Sequence, residues 1–270
     1  MVGVKHLDKL NKMKQQSYRL LVREPLARFS PAEPVYVFHH IPKCGGTSME
    51  KVLARWFIYV PDHRTGWSSS IPDRVNLRKL RSGHCLVGLY DSEGYYLHQR
   101  YPEMLTPGRF RLITLVRDPL QVRLSLYRYE KKLKVGLYNK VNKLEDHVFS
   151  GGNYLADRFP ATLENYKEVI DRYFFVGILE QAQASLDILA HMIGKPPQKF
   201  PWENATRQSN GPASDELSDE LVAKFREQNS LDYLVYDYCV QKFSEKLAML
   251  DSVENHKSTS RASATEAGVL

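Results

Sequence analysis

Residues 35–57 read VYVFHHIPKCGGTSMEKVLARWF, and the fold follows from this stretch. Its first residues are rich in β-branched and aromatic side chains, which is typical of a short buried strand. From Ser48 to Ile58 the apolar side chains recur at the spacing of one helical face. A lysine and two glycines lie between these segments. The stretch therefore predicts a strand, a loop and a helix, in that order.

The loop IPKCGGTS suits an anion. A loop that enters a helix presents free backbone N–H groups and the positive end of the helix dipole, which together bind phosphate or sulfate. Gly45 and Gly46 would let the backbone approach the anion closely. Thr47 and Ser48 would add hydroxyls, and Lys43 would add a full charge. The alternative is a tight turn in which Thr47 is an ordinary helix N-cap.

The position of the lysine argues against ATP or GTP as the obvious ligand. In the usual nucleotide-binding pattern, GxxxxGK[ST], the lysine follows the last glycine, whereas here Lys43 precedes both glycines.

A second basic motif, LVRDPLQVRLSLY, follows another apolar segment, RFRLITLV, at residues 109–116. A strand here would deliver Arg117 into the crevice at its carboxyl end. Arg123 and Ser125 would lie on the helix that follows, where Ser125 could share a phosphate with Arg117. Asp118 is expected to cap that helix rather than to bind a metal. The alternative is a surface group of salt bridges.

A third strand and helix are predicted by YFFVGILE at residues 173–180 and by the apolar spacing over 181–193. Strands that alternate with helices predict a three-layer, P-loop-like α/β fold with a central, mainly parallel sheet. We expect a helical extension over residues 1–33, one domain over 34–250 and a disordered tail over 251–270.

The composition suggests an anionic partner but does not identify it. Lys and Arg number 38 against 31 Asp and Glu, which gives a formal net charge of +7 over 270 residues. The three cysteines are scattered and lack zinc-binding spacing, so a reducing compartment is expected. No membrane span or secretory signal is visible. We expect a cytoplasmic protein as the chain stands, or a protein of the Golgi lumen if an N-terminal anchor has been trimmed.

Taken together, the two motifs resemble those of a known enzyme family. HIPKCGGTS followed by LVRDPLQVRLSLY resembles the 5′-phosphosulfate and 3′-phosphate motifs of sulfotransferases that use 3′-phosphoadenosine 5′-phosphosulfate (PAPS). The chain is most similar to the carbohydrate branch that includes heparan sulfate 2-O-sulfotransferase and its bacterial relatives. Weaker likenesses lie in SGHCLVGL, YFFVGILEQAQASLDIL and LDYLVYDYCVQKF. The resemblance covers roughly residues 35 to 245.

The resemblance implies a transfer of a sulfuryl group from PAPS to a hydroxyl, expected to belong to an oligosaccharide or polysaccharide. It implies no metal, no nucleic acid and no stable membrane insertion. It assigns Arg117 and Ser125 to the 3′-phosphate, and Arg123 is taken with them. Cys44 stands where a threonine is common, and we expect it to contribute only its backbone. The residues assigned to the 5′-phosphosulfate are Lys43, Cys44, Gly45, Gly46, Thr47 and Ser48.

Such a transfer needs a base, because a hydroxyl is a poor nucleophile at neutral pH. His84 matches the Gly-His position of the family and is the expected base. The alternative is that it satisfies a strand end, in which case Asp62 or Asp73 is the fallback. Arg207 lies in a late loop that we expect to close over the nucleotide, although an ordinary surface loop is an equal alternative.

Several basic residues could line a groove for an anionic glycan, but runs of charge are more often solvated faces. These residues are Arg55, Arg64, Arg74, Arg78, Lys79 and Arg81. Two rival functions remain open at this point. A nucleotide-dependent kinase would require ATP and magnesium, and a non-catalytic polyanion-binding module would bind in a salt-dependent way that survives Lys43→Ala.

Overall fold

The computed structural model describes residues 30–63, 73–141, 143–202 and 217–266. Within these ranges the side chains of Tyr138, Asp251 and residues 253–266 are not described. The strands are β1 (Val35–His39), β2 (Ile58–Asp62), β3 (His84–Gly88), β4 (Phe110–Val116) and β5 (Phe175–Ile178).

These strands form one parallel sheet in the order β2-β3-β1-β4-β5. Helices flank it, so the predicted α/β fold with a parallel sheet is confirmed. They are α1 (Gly46–Trp56), α2 (Leu97–Arg100), α3 (Pro119–Leu133), α4 (Leu144–Phe149), α5 (Tyr154–Arg158), α6 (Tyr166–Asp171), α7 (Ala182–Met192), α8 (Asp219–Gln228) and α9 (Ser230–Glu266).

The sheet topology brings the two sequence motifs to one place. β1 is the central strand and pairs with β3 on one side and β4 on the other, so that Val37 lies opposite both Leu86 and Leu112. The chain runs from β1 to the β2 and β3 side and later crosses to β4. Ligands of open α/β sheets bind at such a reversal, outside the carboxyl ends of the strands. The loops after β1 and β4 leave the sheet at this point.

The core explains why the strands read as apolar runs. Val37 and Ile113 are fully buried at the centre of the sheet, as expected for parallel strands covered on both faces. α1 turns Met49, Val52 and Leu53 into the same core. The spacing that predicted this helix is therefore the spacing of its buried face.

One strand was not predicted from the sequence. The strand predictions did not include Ile58–Asp62, which forms β2 at the edge of the sheet. The segment contains Pro61, and proline is tolerated in edge strands, where one side of the strand needs no ladder hydrogen bond. This strand carries Asp62 and the following His63 to the carboxyl edge.

The structure says little about the predicted boundaries of the N-terminal extension and the C-terminal tail. α9 continues to Glu266, into the segment 251–270 for which the sequence predicts a disordered tail. Residues 1–29, the greater part of the predicted helical extension, lie outside the described ranges. The division into extension, domain and tail stays a prediction. None of the helices in the described ranges is both long enough and apolar enough to span a bilayer.

Candidate active site

The loop after β1 leaves the start of α1 open. Gly45 is the N-cap residue, with a φ of 79° in the left-handed region, and no side chain caps the helix. Its carbonyl accepts from the backbone N–H groups of Ser48 and Met49 at 3.1 and 3.2 Å. The N–H groups of Gly46 and Thr47 come too early for a partner within the helix. No acidic residue lies in the first turn, so the positive end of the dipole can face an anion.

The two glycines are also required by packing. A Cβ at Gly45 would lie 2.5 Å from Cδ1 of Leu179, and one at Gly46 would lie 2.0 Å from Cδ2 of His40. From the sequence, both glycines were expected to let an anion approach the backbone, with a tight turn as the alternative. The structure adds a second reason, because side chains already occupy the space into which a larger residue would project.

Cys44 offers the loop only its backbone. Its side chain is fully buried, and burial raises the pKa of the thiol to about 12. Thr47 is exposed at the helix start, whereas Ser48 is buried beneath it. Of the two predicted hydroxyls, the Thr47 hydroxyl is therefore the accessible one.

The second motif meets the first at this loop. Nη1 of Arg117 donates to the carbonyl oxygen of Lys43 at 3.4 Å. The side chain of Asp118 accepts from the backbone N–H of Gln121 at 3.0 Å, so Asp118 caps α3 as the sequence predicts. The Asp118 N–H in turn donates to Glu180 at 3.1 Å. The turn that carries Arg117 is thus held on both sides.

Lys43 and Arg117 bring two positive charges to this corner. Burial lowers the pKa of Lys43, and the neighbouring Arg117 lowers it further. The Lys43 ammonium lies 4.0 Å from the ring centroid of Tyr129 on α3. Within the described ranges, neither Lys43 nor Arg117 forms an ion pair with a carboxylate. An anion bound here would favour the charged form of the lysine.

Arg123 contacts the backbone and an aromatic ring behind the loop. It is buried, and its Nη2 donates to the carbonyl oxygen of Gly152 at 2.5 Å. Its guanidinium lies 5.3 Å from the ring of Tyr154, whose hydroxyl donates to the carbonyl of Pro42 at 3.4 Å. Through Tyr154, Arg123 contacts the loop from behind, and its assignment to the anion site stays a prediction. Ser125 lies half-buried on α3.

The structure does not bring His84 to this loop, which corrects the expected position of the base. His84 is the first residue of β3 and lies opposite Ile58, the first residue of β2. Its Nδ1 accepts from the backbone N–H of Arg81 at 3.1 Å. Because the strands are parallel, the length of β3, roughly 13 Å, separates His84 from the carboxyl edge. The His84 imidazole therefore accepts a hydrogen bond at the start of a strand, which is the structural alternative considered for this residue.

Asp62, the fallback base, is held in a buried ion pair. Nε and Nη2 of Arg100 donate to its two carboxylate oxygens at 2.8 and 2.7 Å. The hydroxyls of Tyr90 and Tyr95 also donate to it. A carboxylate so fully occupied has no lone pair directed at a substrate. The main-chain carbonyl of Asp73, the other fallback, accepts from Arg100.

Of the remaining basic residues, those that the structure describes do not line one common groove at the site. Leu77–Lys79 is a short 3₁₀ helix just before β3, so Arg78, Lys79 and Arg81 lie towards the amino edge with His84. Arg74 pairs with Glu103. Arg64 and Arg207 lie outside the described residues.

A cluster that the sequence analysis did not assemble lies beside the loop. His40 follows β1, Glu50 lies on α1, and Tyr59 and His63 belong to the missed strand β2 and its end. Nδ1 of His40 lies 2.6 Å from Oε1 of Glu50. The Tyr59 hydroxyl lies 3.1 Å from Oε2 of Glu50 and 2.7 Å from Nε2 of His63. We call these four residues the His40 cluster.

Glu50 is the charged centre of the His40 cluster. Burial would raise its pKa, but the hydrogen bond from His40 and the neighbouring imidazoles outweigh burial and lower it. Burial lowers the pKa of His63, against the opposing effect of Glu50. Burial and Glu50 together raise the pKa of Tyr59. Within the described ranges, no group of His, Cys, Asp or Glu is arranged to hold a metal ion.

Comparison with known proteins adds a likeness to a solved structure. No protein-family model matches the chain, and no curated protein sequence matches it. Among solved structures, the fold is similar to that of a sulfotransferase from Alicyclobacillus acidocaldarius, with 14% identity and a TM-score of 0.43. The alignment covers 76% of this chain and 96% of that chain.

Proposed function

We propose that this protein is a sulfotransferase that moves a sulfuryl group from PAPS to a hydroxyl of an acceptor. The observation that carries the proposal is the contact between Arg117 and the Lys43 loop. Two basic motifs that lie far apart in sequence meet at one edge of a parallel sheet, beside an uncapped helix start. A ligand with phosphate groups at two positions suits this arrangement better than a single phosphate does.

The residues fit the donor by their chemistry. The open N–H groups of Gly46 and Thr47 are suited to the 5′-phosphosulfate. Arg117 can donate two parallel hydrogen bonds to a phosphate, and the family resemblance assigns it, with Ser125, to the 3′-phosphate. No described carboxylate pairs with Lys43 or Arg117 to compete with these groups.

Lys43 would act on the leaving group. In a sulfuryl transfer the acceptor oxygen and the leaving phosphate oxygen are roughly in line, and negative charge grows on the leaving oxygen. A half-buried ammonium stabilises such charge more than a solvated one does, because less water screens it. The ring of Tyr129 holds the Lys43 side chain above the loop before the donor arrives.

The acceptor is proposed to be a carbohydrate hydroxyl. This part of the proposal rests on the sequence resemblance to carbohydrate sulfotransferases, and on the net charge of +7, which suits an anionic glycan. A screen of labelled donor against polysaccharides, oligosaccharides and small alcohols would identify the acceptor.

Thermal unfolding with the product nucleotide, 3′-phosphoadenosine 5′-phosphate (PAP), tests the donor site. At about 100 times its Kd, PAP should raise Tm by roughly 5–10 °C. Arg117→Ala should lose most of this shift, and Lys43→Ala should reduce it.

The same measurement separates the rival functions. A shift with ATP and magnesium but none with PAP would favour a kinase and refute the proposal. A polyanion-binding module would give no nucleotide shift at all, and its salt-dependent binding would survive Lys43→Ala.

A further inference from the structure

The His40 cluster offers the acid–base chemistry that the Lys43 loop lacks. This inference rests on the proposed function, in which the acceptor hydroxyl must lose a proton. His84 lies at the opposite edge of the sheet, and Asp62 is occupied by Arg100. His40 and His63 of the His40 cluster, in contrast, follow the carboxyl ends of β1 and β2, close to the start of α1.

The imidazole of His40 is held between Glu50 and the start of α1. On one side, its Nδ1 lies 2.6 Å from Oε1 of Glu50. On the other side, Cδ2 and Nε2 face Gly46, where an added Cβ would lie 2.0 and 2.1 Å from them. Gly46 is the first residue of α1, and its N–H is one of the groups proposed to hold the phosphosulfate. The Nε2 edge of His40 therefore borders the site of transfer.

The contact with Glu50 sets the tautomer of His40. An ionised carboxylate accepts a hydrogen bond, so Nδ1 carries the proton and Nε2 keeps its lone pair. No described residue forms a hydrogen bond with Nε2 of His40. A carboxylate that orients an imidazole in this way also stabilises the imidazolium that forms when Nε2 takes a proton.

Glu50 is fixed by its other neighbours. The Tyr59 hydroxyl donates to Oε2 at 3.1 Å, and Nε2 of His63 lies 3.8 Å from Oε1. Only about one fifth of the Glu50 side chain and 13% of the His40 side chain are exposed. Both residues are thus held by packing and hydrogen bonds, as a preorganised base requires.

We propose that His40 is the general base of the transfer and that Glu50 is its positioning residue. Nε2 of His40 takes the proton of the acceptor hydroxyl while the acceptor oxygen forms a bond to sulfur. The bond between sulfur and the bridging phosphate oxygen breaks, and its electron pair stays on that oxygen beside Lys43. The products are the sulfate ester, PAP and a protonated His40, which returns its proton to water.

The first experiment needs no acceptor. NMR of protein labelled with ¹⁵N-histidine reports the tautomer of each imidazole. His40 should carry its proton on Nδ1, and PAP should shift its Nε2 resonance. Glu50→Gln should increase the fraction protonated on Nε2. A His40 resonance that PAP leaves unchanged, although PAP binds, would overturn the inference. If PAP does not bind the wild-type protein at all, the proposed function fails instead.

The second experiment measures transfer from ³⁵S-labelled PAPS to unsulfated heparosan, chondroitin or dextran, whichever the wild-type protein sulfates. His40→Gln should lower kcat by about 10²–10⁴-fold and leave the PAP-induced rise in Tm intact. Glu50→Gln should lower kcat by a smaller factor without raising KM for PAPS. Added imidazole should partly restore turnover in His40→Ala, which a purely structural role would not allow.

His84→Gln is the matched control, because His84 lies at the amino edge. It should keep wild-type turnover. If His40→Gln kept turnover while His84→Gln lost it, the base would not be His40, and the proposed sulfotransferase function would still stand.

Discussion

At the scale of single residues, the site depends on the glycines at the start of α1 and on the positions of a few charged residues and histidines. Only some of these positions can be predicted from the sequence. The positions of Lys43, Arg117 and Asp118 could be predicted from the sequence because each residue follows the end of a strand. His84 was chosen as the base from the resemblance, but it is the first residue of β3, and the first residue of a parallel strand lies at the amino edge of the sheet. The position of His40 against Gly46 depends on tertiary packing and leaves no pattern in the sequence.

Gly46→Ala tests the close packing at the start of α1. The added Cβ would meet the His40 ring at 2.0 Å, and Glu50 prevents the ring from moving freely. We expect a loss of about 1–3 kcal/mol in the free energy of unfolding, the usual cost of overpacking, and weaker PAP binding. Urea denaturation measures the first effect. Gly152→Ala is the control, since no atom lies within 4 Å of its added Cβ. Equal stability of the two variants would contradict this account.

At the scale of elements, the strands β1, β4 and β5 and the helices that follow them were predictable, whereas the edge strand β2 was not. β1, β4 and β5 are apolar runs that end in turn signals, and their helices show one apolar face. β2 contains Pro61 and ends in a charged residue, so its sequence resembles a loop. Its pairing with β3 and the aromatic rings around Asp62 make it a strand. With β2 unrecognised, the position of His63 beside His40 could not be inferred.

Asp118→Ala tests the capping of α3. Loss of the cap should cost roughly 0.5–2 kcal/mol of stability and should also weaken PAP binding, because the capped turn positions Arg117. Ser218→Ala is the matched control, since Ser218 caps α8 by accepting from the N–H of Leu221 at 3.3 Å. Both variants should lose stability in urea, but only Asp118→Ala should change the Kd of PAP. If the two variants bound PAP with the same Kd, the cap of α3 would not contribute to the PAP site.

Asp232 gives α9 a dependence on pH. Its Oδ1 accepts from the N–H groups of Leu155 and Ala156 at 2.8 and 2.9 Å, and burial raises its pKa to about 6. In the unfolded state the pKa of an aspartate is about 3.9. As the pH rises, Asp232 therefore loses its proton at a lower pH in the unfolded state than in the folded state. The contribution of this group to stability is greatest at low pH and is lost as pH rises from about 4 to 6.

Asp232→Asn should remove that dependence, because an amide oxygen can accept the same two hydrogen bonds without charge. Relative to the variant, the wild-type protein should lose stability as the pH rises from 4 to 7. Denaturation in urea at several pH values measures the difference. Asp187→Asn, at an exposed site on α7, should show no such trend. A difference between wild-type and Asp232→Asn that stays constant with pH would contradict the raised pKa.

At the scale of the whole molecule, the account depends on topology more than on net charge. The excess of positive charge fits many anionic ligands. The reversal of strand order at β1 is more selective, because it brings the loops after β1 and β4 to one edge. The sequence predicted this meeting from two strand ends, and the contact between Arg117 and Lys43 is consistent with it.

The most direct test of the central claim compares PAP with adenosine 5′-phosphate, which lacks the 3′-phosphate, by titration calorimetry. If the two motifs bind one nucleotide, PAP should bind at least about tenfold more tightly, as expected for a charged hydrogen bond worth about 1.5–3 kcal/mol. Arg117→Ala should abolish this preference, while Arg172→Ala, which removes the exposed pair with Glu168 on α6, should keep it. Equal affinities for the two nucleotides, or a preference that survives Arg117→Ala, would contradict the account.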